Sequence, residues 1–226
     1  MEVARPGGCA DRSSAGADLS WRWSLLPDLS ALVALPEGSL AVIDVQIGLT
    51  DGPPRPCDQA ARRLLGPRRA SVFTPPMRGM LALTDRAAAT RYGQARRVGG
   101  GVSAQSWNIV PKIREADAVV TPGRQDRLRE GHPEVAFARL RGAPLPHAKK
   151  TEAGARSRRA LLERAGLDAR VLLAAVRRAH PCRDVADDDV LDAAVLALTA
   201  LAVRDGTAIR LGGERDATGR IMEILG

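Results

Sequence analysis

The segment Ala186-Asp187-Asp188-Asp189-Val190-Leu191-Asp192-Ala193-Ala194 sets acids at the mouth of a run, Val190 to Val203, that is otherwise apolar at nearly every position. Such a run reads as a helix buried around most of its circumference, so the fold must supply a core able to surround it. Asp189 and Asp192 are three residues apart and Asp188 and Asp192 four apart, which puts their carboxylates on one helical face within about a turn. Carboxylates so grouped repel one another unless a cation sits on them. Acids in a first turn can also simply complement the helix dipole, worth roughly 0.3 to 1 kcal/mol each. Asp192 favours the cation: it lies in the second turn among alanines and leucines, where the dipole helps little and burial of an unpaired carboxylate is costly.

With 226 residues, 45% of them hydrophobic, the chain can bury a substantial core. Residues 1–20, rich in Gly, Ser, Ala and Asp without a clean period, read as an irregular N-terminal segment, and residues 21–226 as a single domain. No apolar run reaches the roughly 18 residues of a membrane span. Arg5, Arg12 and Arg22 are not followed by an apolar block, so neither a span nor a signal peptide is expected and the predicted location is cytoplasmic. Cys9, Cys57 and Cys182 are distant and odd in number, which points to free thiols and away from disulfides or zinc. The formal charge of +8 makes nucleic acid a possible partner. That charge comes from 31 Arg and only 3 Lys, a general Arg richness that weakens the inference. The three lysines, Lys112, Lys149 and Lys150, are correspondingly more telling, because a compact ammonium stands where the chain otherwise uses a planar guanidinium.

Short apolar runs alternate with helical ones along the chain, the pattern of an α/β domain. Pro27–Leu35 reads as a short helix, and Leu40–Ile47 as a buried strand whose carboxyl end carries Asp44. A helix follows over Asp58–Leu65, stopped by Gly66-Pro67, then a short strand or loop at Ser71–Pro76. Arg78–Arg97 reads as a helix ending at Gly99-Gly100-Gly101, which lacks the residues of a phosphate loop. Ser103 caps a predicted helix to Asp117 that Pro111 must distort, with Lys112 and Glu115 spaced for a solvated ion pair. Pro122–Glu130 reads as a charged loop. Glu134 then opens an apolar stretch that would be a strand, next to His132, one of three histidines. Lys149, Lys150, Arg156, Arg158, Arg159 and Arg164 cluster around a predicted helix over Ala155–Ala165, as either a solvated face or a phosphate-gripping patch. Leu167–Arg178 is a further amphipathic helix, and Thr207–Leu211 a late strand before the turn Asp216–Arg220 and the terminal Ile221–Leu225.

The ordered blocks AVIDVQIGL (41–49), RPCDQAARRLLG (55–66), SVFTPP (71–76), NIVPKIREAD (108–117), HPEVAF (132–137), KKTEAG (149–154) and DDVLDAAVLALTA (188–200) resemble the bacterial domain-of-unknown-function family 429. That family is described as predicted nucleases of the RNase H fold. The resemblance implies a mixed sheet flanked by helices, similar to the Holliday-junction resolvase RuvC, and Mg or Mn held by carboxylates for in-line phosphodiester hydrolysis. It makes Glu134 the mid-chain catalytic acid, Asp189 and Asp192 the helix pair with Asp188 as an alternative ligand, and Asp44 an additional ligand. Lys149 and Lys150 would face the scissile phosphate. One departure stands out. The family opens on a strand with a Gly-Val-Asp-Gly-type element that supplies a first catalytic Asp, whereas here Gly7-Gly8-Cys9 stands without a preceding Asp or β-branched run. The first strand region is therefore degenerate or missing, with Asp11 and Asp18 as the only nearby acids besides Glu2. Two functions follow: a metal-dependent nuclease, or a catalytically inactive RNase H-like scaffold that binds nucleic acid or protein.

Overall fold

A computed structural model describes residues 2–4, 20–96 and 102–226. The readings made for Gly7-Gly8-Cys9, Asp11, Asp18 and the glycines at 99–101 lie outside the described residues. β1 (Glu2–Ala4) pairs antiparallel with β2 (Ser20–Arg22), so the segment expected to be irregular contributes a strand. Asp28 then caps a 3-10 turn over Leu29–Ala34 by accepting from the Ser30 amide at 2.8 Å. β3 (Ala41–Ile43) is shorter than the apolar run that predicted it. The chain bends at Asp44, and the carbonyls of Ile47 and Gly48 turn onto the Arg55 guanidinium instead of continuing a ladder. Gly48 makes that turn possible: its φ is +76°, and a Cβ there would lie 2.8 Å from Met222 Cγ.

α1 (Pro56–Leu65) begins on a proline, whose missing N–H costs nothing in a first turn, and ends at Gly66. The helix expected over Arg78–Arg97 divides into a 3-10 turn, Arg78–Ala82, and α2 (Arg86–Ala95), because Asp85 caps a fresh start through the Ala88 amide at 2.7 Å. The helix expected from Ser103 divides as well, into α3 (Ala104–Asn108), capped by Ser103, and α4 (Val110–Val119). The break falls just before Pro111, which sits in the first turn of α4 where it needs no donor.

Residues 128–130, expected to be loop, form β4 (Leu128–Glu130), which pairs parallel with β3 in the register Ala41 to Leu128 and Ile43 to Glu130. The stretch after it, expected to be a strand, is α5 (Pro133–Arg141). Pro133 starts this helix, the His132 ring caps it by accepting the Glu134 amide at 3.2 Å, and Gly142 ends it with φ +80°. α6 (Glu152–Arg164) is capped by Thr151, α7 (Ala169–Ala179) by Asp168, and α8 (Asp187–Arg204) is the long apolar helix. β5 (Arg210–Arg215) and β6 (Ile221–Leu225) close the chain as an antiparallel hairpin with a bulge between Gly212 and Glu214. A parallel bridge from Gly131 to Leu225 continues the β3–β4 pairing onto β6.

The result is a mixed α/β protein, about half helical, with small parallel and antiparallel sheets. Its largest core surrounds α8: Leu191, Ala194 and Val195 pack with Phe137 of α5, Leu162 of α6 and Leu172 of α7, with Val42 of β3 against the cluster. Among the described residues, no helix is long and apolar enough to cross a membrane.

Candidate functional site

Asp44 follows directly on β3, and α8 packs across that strand, so the carboxyl end of the strand faces the first two turns of the helix. The apolar circumference of α8 thus fixes where its acids lie: the packing that buries Leu191 and Val195 leaves Asp189 and Asp192 along the opening beside Asp44. Lys149 enters from the loop before α6. Its Nζ donates to Asp192 Oδ2 at 2.8 Å and lies 3.1 Å from Asp188 Oδ2. Two carboxylates therefore pair with one ammonium here, while Asp44 and Asp189 line the same cleft without, among the described residues, a cation of their own in contact.

The electrostatics record that surplus. Burial pushes the Asp192 carboxyl up to about 6; Lys149 and Arg158 pull it down, and Asp44 pushes it up. Asp44 opens to solvent at the mouth, yet the protein walls around it raise its carboxyl above the ordinary range. His132 and Lys149 offset part of that rise, and Asp189 adds to it. Partial burial alone would lower the Lys149 ammonium, but its pairs with Asp192 and Asp188 win and raise it. Two clefts meet here, one of about 310 Å³ and one of about 840 Å³, and both are lined by Asp44, Val45, Lys149 and Asp192. Among the described residues, no three His, Cys, Asp or Glu side chains converge as they would around a bound metal ion.

Two of the expected site residues are placed otherwise. Glu134 lines the smaller cleft, but from the first turn of α5, where its Oε1 accepts from Arg158 at 2.5 Å and Arg68 at 3.2 Å. Its charge is thus held by two guanidinium groups, and it shares the smaller cleft with Asp44 and Asp192 without a pair to Lys149. Lys150 is exposed and lines neither cleft, so only Lys149 of the pair reaches the acids. The expected basic face also divides, since Arg158 is buried on Glu134 whereas Arg156 pairs with Glu152 at the surface. Lys112 and Glu115 form the expected exposed pair at 2.9 Å.

Sequence reasoning missed a buried network beside the site. Arg55 Nε and Nη2 donate to Asp58 at 3.1 and 2.6 Å, while Nη1 and Nη2 donate to Glu130 at 2.8 and 2.6 Å. Glu130 also accepts the Ile47 amide at 2.6 Å. Burial pushes the Glu130 carboxyl up to about 7 against the pull of Arg55, and all three donors favour its ionised form. The Arg55–Asp58 spacing across a helix start was the one visible signal. Its long-range partner required β4, which reads as a loop. A second network centres on Asp216, which accepts the amides of Leu49, Thr218 and Arg220 and pairs with Arg78 at 2.7 Å.

Fold and site together define an α/β protein whose strand end and longest helix present an acidic cluster at the junction of two clefts. The chain belongs to the family described as Protein of unknown function (DUF429), which matches residues 4–217. No curated protein and no solved structure matches it significantly.

Proposed function

We propose that the chain is a divalent-metal-dependent nuclease of RNase H-like architecture that hydrolyses phosphodiesters. The observation that carries this reading is the set Asp44, Asp189 and Asp192, brought from a strand end and a helix to the meeting of two clefts, with Lys149 as its counter-charge. Their hard oxygen donors fit Mg or Mn better than zinc. The raised Asp44 and Asp192 carboxyls fit too, because a cation would offset the burial that chiefly raises them and the mutual repulsion that adds to it. No three of these acids converge on one point as they stand, so Asp44, Asp189 and Asp192 would have to draw together to hold the ion, with Asp188 keeping Lys149 at the rim. Such an ion, when bound, activates water and stabilises the leaving oxygen of an in-line attack. Lys149 then draws the phosphate toward the acids as a point charge, while the net charge of +8 supplies salt-dependent affinity for the polymer.

Calorimetric titration of Mn and Mg into the protein and into Asp192→Asn tests the reading without assuming a substrate. Saturable binding that the variant lacks is the expected result. A wild-type chain that binds neither ion refutes it. That outcome would favour a non-catalytic scaffold, for which the observation is the Lys149 ammonium already seated between Asp188 and Asp192. The scaffold would show salt-sensitive nucleic-acid binding indifferent to Asp192→Asn.

A further inference from the structure

We propose that the smaller cleft is a base pocket that takes one unpaired nucleobase carrying an exocyclic amino group, with Glu134 Oε2 accepting the amino N–H and Phe73 stacking on the ring. The inference rests on the nuclease reading for the identity of the polymer. Its first support is an unanswered acceptor. The Glu134 side chain is 8% exposed and lines the cleft, and its Oε1 is engaged by Arg158 and Arg68, yet among the described residues its buried Oε2 has no partner. Buried carboxylate oxygens rarely go unpaired, so this one points to a donor brought by a ligand, which it would meet after a small turn of the side chain into the cleft. Arg68 adds a donor beside that acceptor. Its Nη2 holds Glu134, and its buried Nε is likewise without a partner. An amino group next to a ring nitrogen, the edge of adenine or cytosine, complements an acceptor beside a donor.

The second support is independent. Phe73, one of only two phenylalanines in the chain, is 37% exposed on the wall of this cleft, where an apolar ring would ordinarily be covered. Ile109 and Pro133 supply further apolar wall, and a space of about 310 Å³ suits a small flat ligand. Carboxylates outnumber cations among the lining side chains, so the base enters here in preference to its phosphate. A base inside a duplex cannot reach such a pocket, which commits the substrate to an unpaired strand or an extruded nucleotide. Because the cleft shares Asp44, Lys149 and Asp192 with the acidic site, a base seated in it sets its own phosphodiester beside those residues.

The test is fluorescence anisotropy of the full chain with labelled single-stranded dA, dC and dT tracts of roughly ten nucleotides, in EDTA so that cleavage cannot intervene. The dA and dC tracts are expected to bind about tenfold more tightly than dT. Glu134→Gln, which offers an amide N–H where the acceptor stood, is expected to turn the preference toward dT. Phe73→Ala is expected to weaken every tract about tenfold. Equal affinity for the three tracts, or a Glu134→Gln variant that folds and keeps the preference, overturns the proposal. Should losing the charged partner of buried Arg158 unfold Glu134→Gln, Phe73→Ala still decides, since unchanged affinity there overturns it as well. None of these readouts involves metal or turnover. A failed manganese titration leaves the base preference to stand or fall alone, and a failed preference leaves the metal site untouched.

Discussion

The Arg55 cluster and the Asp192 cluster are built from the same groups, carboxylates around one cation, and differ in how completely those groups are matched. Arg55, with a side chain 1% exposed, directs its guanidinium onto two carboxylates and the carbonyls of Ile47 and Gly48. Around Lys149 the balance is reversed, with one half-exposed ammonium bonded to Asp192 and Asp188 while Asp44 and Asp189 face the same space. A matched network costs a great deal to disturb and fixes the chain in one arrangement. An unmatched one keeps charge free to meet a ligand, and tolerates changes that the first does not. The two are physically joined, because Arg55 holds the turn at residues 47–48 that follows Asp44, so rigidity on one side adjoins the unmatched acids on the other.

The comparison breaks most directly at Arg55. Arg55→Met leaves Asp58 and Glu130 buried without their cation, and urea unfolding is expected to show a loss of about 3–5 kcal/mol. A loss below about 1 kcal/mol would mean that the cluster does not hold the fold and that the contrast with Asp192 is unfounded. A smaller effect is expected at Asp216. Burial alone would raise its carboxyl, but the Thr218 hydroxyl and three backbone amides hold it at about 2. Its folded value lies below its unfolded one, so the stability it gives is complete above about pH 4 and disappears as the pH falls through about 2; it amounts to about 2 kcal/mol. Unfolding curves of wild type and Asp216→Asn should therefore differ most above pH 4 and converge near pH 2. A gap that persists at pH 2 would assign the effect to packing.

What the sequence disclosed of these two regions follows from range. The surplus acids could be read because Asp188, Asp189 and Asp192 lie within one helix, where spacing fixes the face, and because a carboxylate in an apolar second turn is conspicuous by itself. Asp44 could be read for the same reason, as an acid ending an apolar run. The strand expected from Glu134 onward is a helix instead. Val135, Ala136 and Phe137 are all buried, and their apolar run suits a strand or a buried helix equally; Pro133 and the His132 cap decide for the helix. Glu130 was missed because β4 has three residues, too few to show alternation, and exists through its pairing with β3, more than 80 residues away in sequence. Matched charge pairs join distant segments and leave almost no local trace, whereas an unmatched cluster on one helix is local. The region proposed as the metal site was thus the more legible.

The smallest expected effect sharpens the comparison most, because it asks whether Lys149 stands where a metal would. Lys149→Met removes the ammonium from Asp188 and Asp192, and since Lys149 is 36% exposed the loss of stability without metal should be no more than about 1 kcal/mol. The Asp192 carboxyl loses its main downward pull and should titrate above about 6. Adding Mg or Mn then separates two accounts of the site. If the acids accept a divalent cation, the variant offers it more unneutralised charge than the wild type, and binding to the folded state alone should raise the Tm of Lys149→Met more than that of the parent. If Lys149 is simply the permanent partner of these acids, as Arg55 is of Asp58 and Glu130, both proteins will respond alike to the metal and the variant will stay at its lowered Tm. Differential scanning calorimetry with and without each ion reads the difference directly, and an equal response would place the Asp192 cluster in the same class as the Arg55 cluster.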